Sequence, residues 1–127
     1  MSGLMIGDIA VQRIIEEEVP FFIPHETFVE ATPEALAPHR HWLEPNAMDP
    51  ETGMLILPFQ SYLVRTKHHT ILIDTCIGCG KSITHRPQWF QRTDQTWLNN
   101  LRAAGLQPEA IDYVFCTHLH ADHCGWN

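Results

Sequence analysis

The sequence has few basic residues and no long apolar run. Lys and Arg number 8 against 15 Asp and Glu, which gives a formal net charge of −7. This acidic balance disfavours nucleic acid as a partner, because phosphate backbones attract cationic surfaces. No stretch approaches the roughly 18 apolar residues that a membrane-spanning helix needs. The sequence therefore predicts neither a nucleic-acid partner nor a membrane partner.

The N-terminus, MSGLMIGDIA, lacks the basic patch and apolar core of a secretory signal. Without such a signal, the sequence predicts a cytoplasmic protein whose four cysteines are reduced thiols. Cys76 and Cys79 form a C-x-x-C motif, which occurs in redox pairs and in half zinc sites. A thioredoxin-type motif begins a helix, whereas the sequence that follows contains β-branched residues and a proline. We therefore favour two small residues in a glycine-containing loop.

The apolar pattern predicts an α/β fold in a chain of single-domain size, 127 residues. Six prolines between residues 19 and 53 predict mostly loop, apart from a short helix that Thr32 caps and that ends near Leu43. The acidic triplet Glu16-Glu17-Glu18 is interpreted as a solvated strand end. The other predicted elements are a strand over 8–16, a β-hairpin over 54–64 and 70–74, a helix over 93–104, and a strand over 111–116 that is buried on both faces.

The succession of strand 70–74, helix 93–104 and strand 111–116 predicts a parallel strand pair with a right-handed crossover. Parallel strands place their carboxyl ends at the same edge of a sheet, where α/β proteins build their sites. Asp74 ends the first strand and Thr117-His118 ends the second. We therefore expect these residues to meet at one edge.

Residues 118–123 read His-Leu-His-Ala-Asp-His and contain three of the nine histidines. In an extended segment His118, His120 and Asp122 project to one side, and a turn at Asp122 brings in His123. Imidazole and carboxylate groups are the ligands of Zn²⁺ and similar ions. Two pairs of ligands suit two adjacent metal ions. The alternative interpretation is a histidine-rich surface loop.

The segment VFCTHLHADHCG resembles the metal-binding signature of the metallo-β-lactamase superfamily. ILIDTCIG with Asp74 resembles the early aspartate motif of that family, and QSYLV resembles its first hairpin strands. The resemblance covers most of residues 54–127 and is weak over 1–53. It implies the first half of an αββα sandwich, with a mixed β-sheet and flanking helices.

The resemblance also implies roles for the residues of the signature. His118 and His120 would bind one metal ion, and Asp122 and His123 would bind a second. Asp74 would orient the loop through hydrogen bonds. A histidine at position 120 favours a zinc hydrolase over the diiron branch, although manganese or iron would also fit. Asp122 would in addition pass a proton to the leaving group.

A member of this superfamily would use a metal-bound hydroxide to attack an ester, a lactone or a related carbonyl or phosphoryl centre. The early loop with Phe21, Phe22 and Phe28 resembles that of the lactonase and methyl parathion hydrolase branch most. The implied partner is a small-molecule substrate. A non-catalytic metal-binding or CxxC redox module, and a phosphodiesterase or nuclease of the same superfamily, remain as alternatives.

The signature is incomplete by family standards, because the first metal ion needs a third His and the second needs a bridging Asp and a further His. We therefore expect residues 1–127 to be the N-terminal half of one domain, inactive alone. Residues 1–53 would form an N-terminal strand and loop region, and 54–127 the hairpin, the βαβ unit and the metal-binding loop. A short protein that completes its sites as a homodimer is the alternative.

Overall fold

The computed structural model describes residues 3–127, so the first two residues of the predicted N-terminal region lie outside it. Five strands form one sheet in the order β1-β2-β3-β4-β5. The strands are β1 Leu4–Ile6, β2 Ile9–Phe22, β3 Leu55–Arg65, β4 Thr70–Ile73 and β5 Tyr113–Phe115. The helices are α1 Pro24–Thr27, α2 Pro33–Leu36, α3 Arg40–Leu43 and α4 Thr96–Ala103. Single 3₁₀ turns cover Ala37–His39, Pro87–Trp89 and Pro108–Ala110.

The predicted hairpin and crossover are both present. β3 pairs antiparallel with β4, with Tyr62 opposite Ile73. β4 pairs parallel with β5, with Ile71 opposite Tyr113 and Ile73 opposite Phe115. The carboxyl ends of β4 and β5 therefore lie at the same edge of the sheet, as the order of elements predicted.

The chain divides into two compact units, one formed by residues up to Glu17 together with Phe59–Asn127, the other by Glu18–Pro58. The core of the first unit combines apolar residues of β2, β3 and β4 with one face of α4. Its buried members are Ile14, Leu63, Leu72, Cys76, Trp97 and Leu101. The predicted helix face, with Trp97 and Leu101, is thus the face that is buried.

The second unit contains the short helices. Thr32 caps α2 through its side chain, which accepts a hydrogen bond from the Ala35 N–H at 3.2 Å. The predicted helix from Thr32 to about Leu43 is divided into α2, a 3₁₀ turn and α3, because Pro38 cannot donate a helical hydrogen bond.

The structure differs from the predicted secondary structure in several places. β2 extends to Phe22, into the segment predicted to be loop, rather than ending at residue 16. α4 begins at Thr96 rather than at residue 93, because Asp94 Oδ1 accepts from the Thr96 N–H at 2.7 Å. β1 was not predicted. β5 was predicted to be buried on both faces, yet Tyr113, Val114 and Phe115 are 55%, 50% and 66% exposed, because the described residues leave these side chains uncovered.

No helix in residues 3–127 is long and apolar enough to cross a membrane.

Candidate metal centre

Two loops meet at the carboxyl edge of β4 and β5. We call residues 74–78 the aspartate loop and residues 117–126 the histidine loop. The Asp74 N–H donates to the Phe115 carbonyl at 2.9 Å, and the Thr117 N–H donates back to Asp74 Oδ1 at 2.7 Å. Asp74 has a φ of 60°, which turns the chain sharply at the strand end. The parallel pairing thus brings the two predicted loops into direct contact.

Asp74 is 7% exposed, and its carboxylate receives hydrogen bonds from Thr117 at the start of the histidine loop and from His123 further along it. In addition to the Thr117 N–H, its Oδ2 accepts from the Thr117 hydroxyl at 2.9 Å and from His123 Nδ1 at 2.8 Å. Burial raises the pKa of Asp74, but the hydrogen bonds from Thr117 and His123 outweigh it and hold the pKa below its ordinary value. Asp74 is therefore a carboxylate that orders the loop carrying the histidines.

These contacts determine which ring nitrogens are free to bind a ligand. The single hydroxyl proton of Thr117 goes to Asp74, so His118 Nδ1, 3.1 Å from that hydroxyl oxygen, must donate to it. His123 Nδ1 likewise donates to Asp74. In both rings the lone pair is then left on Nε2. Imidazole binds a metal ion through such a lone pair while its other nitrogen donates to an anchor.

The free nitrogens face the other predicted ligands in two pairs. His118 Nε2 lies 3.0 Å from His120 Nδ1, and His123 Nε2 lies 3.5 Å from Asp122 Oδ2. The two pairs adjoin, since the His118 and His123 ring centroids are 3.9 Å apart. The structure thus brings together His118, His120, Asp122, His123 and Asp74, which the sequence analysis had selected.

The donor types match those of divalent metal ions, and one pair has a compatible spacing. Two nitrogens bound to one tetrahedral zinc lie about 3.3 Å apart, because each Zn–N bond is about 2.0–2.1 Å. The 3.0 Å between His118 and His120 is close to that separation. Within residues 3–127, however, no group of three or more His, Cys, Asp or Glu side chains is arranged to hold a metal ion. The described chain supplies ligand pairs rather than a closed coordination shell.

Main-chain hydrogen bonds join the end of the histidine loop to the aspartate loop. The Thr75 N–H donates to the His123 carbonyl at 2.8 Å, and the Gly125 N–H donates to the Cys76 carbonyl at 2.8 Å. A Cβ atom on Gly125 would lie 1.9 Å from the Ile77 carbonyl oxygen. Only glycine permits this approach. The position of His123 is thereby fixed by backbone as well as by Asp74.

Glu16 contributes a second buried carboxylate that the sequence analysis missed. It was interpreted as part of a solvated strand end, yet it is 4% exposed. It accepts hydrogen bonds from the Ile77 N–H at 2.8 Å, the Gly78 N–H at 3.2 Å and the Trp126 indole N–H at 2.8 Å. The alternation of side chains in β2 could have shown this, because Glu16 lies two residues after the buried Ile14.

The CIGC motif lacks the properties of a reactive cysteine pair. Burial raises the pKa of Cys76 to about 12, and burial with the nearby Glu16 charge also raises the pKa of Cys79. A reactive thiol instead has a lowered pKa. Cys76 contacts the Ser61 hydroxyl at 3.5 Å, and Cys79 donates to the Asp94 carbonyl at 2.7 Å. Both thiols are free and lie in the loop that was predicted.

The sequence matches a known family over the part that forms this centre. Residues 58–127 match the family model of the metallo-beta-lactamase superfamily. The chain therefore belongs to the metallo-beta-lactamase superfamily. This finding confirms the family resemblance and, with the mixed sheet, the predicted fold class.

A curated relative is the N-acyl homoserine lactonase of Bacillus cereus, which is 31% identical over 87 residues. The match covers 59% of this chain and 34% of the relative, so the chain spans about a third of the length of that protein.

Solved structures of larger proteins share the fold. A probable metal-dependent hydrolase from Staphylococcus aureus superposes with a TM-score of 0.69 at 25% identity, covering 97% of this chain and 42% of that one. AidC, a dizinc quorum-quenching lactonase in complex with its product N-hexnoyl-L-homoserine, superposes with a TM-score of 0.65 at 21% identity. That match covers 96% of this chain and 37% of AidC.

Proposed function

We propose that the chain is the N-terminal half of a zinc-dependent hydrolase that opens lactones or cleaves related esters. One observation carries this proposal: His118, His120, Asp122 and His123 converge in two pairs at the sheet edge, with Asp74 hydrogen-bonded behind them. The relatives support the substrate class, since one is named an N-acyl homoserine lactonase and another is a dizinc lactonase.

In this proposal His118 and His120 hold one zinc ion, and Asp122 and His123 hold a second. When bound, the ions would supply Lewis acidity and activate water for attack on a carbonyl or phosphoryl centre. Asp74 and Thr117 keep protons on Nδ1 of His123 and His118, so that each Nε2 presents a lone pair. The Asp122 carboxylate, partly buried beside His123, would carry a proton to the leaving group.

The exposed β5 strand supports the half-domain proposal. Its three apolar residues are each at least half exposed, although their sequence is typical of a covered strand. In the complete domain, further chain would cover this strand and supply the remaining metal ligands. We also propose, from the sequence alone, a cytoplasmic location, a small-molecule substrate and no nucleic-acid or membrane partner. If no further chain supplies those ligands, homodimer formation would have to do so.

The alternatives have less support. A CxxC redox module needs a reactive thiolate, whereas the pKa values of Cys76 and Cys79 are both raised. A phosphodiesterase or nuclease of the same superfamily would be expected to carry a basic groove for its substrate, whereas the chain has a net charge of −7.

The test is hydrolysis by the protein expressed from its complete gene and loaded with zinc. We expect turnover of an N-acyl homoserine lactone to exceed that of a phosphotriester and of a nucleic-acid phosphodiester. His123→Ala should abolish turnover and remove the second zinc ion, whereas the exposed His85→Ala should retain turnover and both ions. Absence of bound zinc in the wild-type protein would overturn the proposal. Turnover of the phosphodiester alone would favour the nuclease instead.

A further inference from the structure

Glu16 is a buried carboxylate whose hydrogen-bond donors all come from the two loops of the candidate metal centre. The Ile77 and Gly78 N–H groups belong to the aspartate loop, and the Trp126 indole N–H belongs to the histidine loop. Glu16 itself lies in β2, so its side chain joins three segments that are far apart in sequence. A buried carboxylate requires such partners, because an unpaired one is strongly unfavourable.

The remainder of the Trp126 side chain is also held in place. Its ring stacks on Trp97 of α4, with centroids 5.3 Å apart and an interplanar angle of 15°. The backbone N–H of Trp126 donates to the Thr75 carbonyl at 3.0 Å. Trp126 therefore connects the end of the histidine loop, three residues after His123, to the core of the unit.

We propose that Glu16 is a positioning residue that sets the distance between the aspartate and histidine loops, and thereby the placement of His123 and Asp122. It acts through the backbone and through Trp126, and it touches neither the metal ligands nor the substrate. The consequence for metal binding rests on the proposed function, whereas the anchoring of the loops does not.

The chemistry at this position requires a carboxylate rather than an amide. Oε2 accepts from Ile77, and Oε1 accepts from both Gly78 and Trp126. Glutamine has one carbonyl oxygen, and its NH₂ group would face a donor in either orientation. Glu16→Gln therefore loses at least one hydrogen bond and places two donors against each other, with almost no change in volume.

The anchoring is tested first without metal, by hydrogen exchange of the protein expressed from its complete gene. We expect peptides covering residues 75–78 and 123–127 to exchange at least 10-fold faster in Glu16→Gln than in wild type. The exposed Glu109→Gln is the matched control and should exchange as wild type does. Trp126→Phe removes only the indole donor and keeps a ring on Trp97, so it tests the same link if Glu16→Gln fails to fold.

Zinc affinity by competition with a chelator is the second measurement. Outer hydrogen-bond partners of a metal site typically change affinity by about 10–100-fold, and we expect a loss near 10-fold for Glu16→Gln. The double variant with Trp126→Phe should lose less zinc affinity than the product of the single losses, because the two residues act through one hydrogen bond.

Unchanged hydrogen exchange in Glu16→Gln, or faster exchange with unchanged zinc affinity, would overturn the positioning role. A wild-type protein without zinc affinity would contradict the proposed function, while faster exchange in Glu16→Gln would still support the anchoring.

Discussion

Asp74 and Glu16 are two buried carboxylates that bind opposite ends of the same short loop, and their environments differ. Asp74 accepts from Thr117 and from the imidazole of His123, and these bonds hold its pKa below its ordinary value. Within residues 3–127, Glu16 accepts from the backbone N–H groups of Ile77 and Gly78 and from the indole N–H of Trp126. Burial raises the pKa of Glu16, and its hydrogen bonds only partly oppose this effect.

The two carboxylates therefore have different roles. Asp74 faces titratable and metal-binding groups, so its charge determines which nitrogen of His123 is free. Glu16 faces fixed donors inside the core, so it determines where the loops lie. The two carboxylates together hold the histidine loop at both of its ends.

The largest effect is expected where the two loops touch. Gly125→Ala places a Cβ atom 1.9 Å from the Ile77 carbonyl oxygen, so the backbone must move. We expect the free energy of unfolding to fall by about 3 kcal/mol, the upper range for overpacking, with loss of zinc binding. Urea unfolding measures the free energy of unfolding, and competition with a chelator measures zinc binding.

The matched control is Gly80→Ala, whose Cβ atom would meet nothing within 4 Å although its φ of +65° is unfavourable for alanine. The free energy of unfolding of this variant should fall by only about 1–2 kcal/mol, and its zinc affinity should be unchanged. Equal losses for the two variants would show that the contact between the loops has no special role.

The next largest effect concerns Asp74. Asp74→Asn replaces one acceptor oxygen with a donor, so the hydrogen bond from His123 Nδ1 or those from Thr117 must be lost. We expect zinc affinity to fall by about 10–100-fold, more than for Glu16→Gln. Asp112→Asn, at the opposite end of β5, serves as the control for zinc affinity. A larger loss in Glu16→Gln than in Asp74→Asn would reverse the assignment of roles.

The pKa of Glu16 predicts a dependence of stability on pH. Because folding raises this pKa, the contribution of Glu16 to stability is fully present below its unfolded value, near 4.5, and is lost as the pH rises through the folded value. The unfolding free energy of wild type minus that of Glu16→Gln should therefore decrease as the pH rises above 4.5. The charged side chains near Glu16 are Arg92 and Glu17, which form an ion pair with each other.

Urea unfolding at a series of pH values checks this dependence. Glu109→Gln, at an exposed position outside the two loops, is the control for the change of a glutamate to a glutamine. A difference between wild type and Glu16→Gln that stays constant or grows with pH would contradict a raised pKa of Glu16 in the folded protein.

The smallest effect is expected at the cysteine pair. Because burial raises the pKa of Cys76 to about 12, the folded protein should resist alkylation at Cys76 at pH 9, where an unfolded thiol reacts readily. Cys79→Ser should change the free energy of unfolding by less than about 0.5 kcal/mol. Mass spectrometry after iodoacetamide treatment locates the label. Rapid labelling of Cys76 in the folded state would restore the redox hypothesis.

The sequence was sufficient to predict the parts of the fold that depend on local pattern. Apolar runs predicted the hairpin of β3 and β4, and the helix between two strands predicted the parallel pairing of β4 with β5. That pairing, with the spacing of His118, His120 and Asp122, predicted which side chains would meet. Their roles as metal ligands remain predictions.

The features that were missed depend on tertiary contacts. Glu16 is polar and lies beside Glu17 and Glu18, so composition indicated solvent, whereas the N–H groups that bury it come from residues 77, 78 and 126. The predicted burial of β5 was wrong because apolar composition reports the surroundings a strand is suited to, not those present within the described residues. The start of α4 depends on a local contact: Gln95 is the N-cap residue and makes no side-chain cap bond, while the Asp94 carboxylate accepts from the Thr96 N–H.

The most direct test of the metal centre is a crystal structure of the zinc-loaded protein from its complete gene, with anomalous diffraction at the zinc edge. We predict one peak about 2.0–2.1 Å from His118 Nε2 and His120 Nδ1, and a second beside His123 Nε2 and Asp122, with Asp74 still bonded to His123 Nδ1. Zinc at Cys76 and Cys79, or no zinc at the carboxyl edge of β4 and β5, would contradict the account.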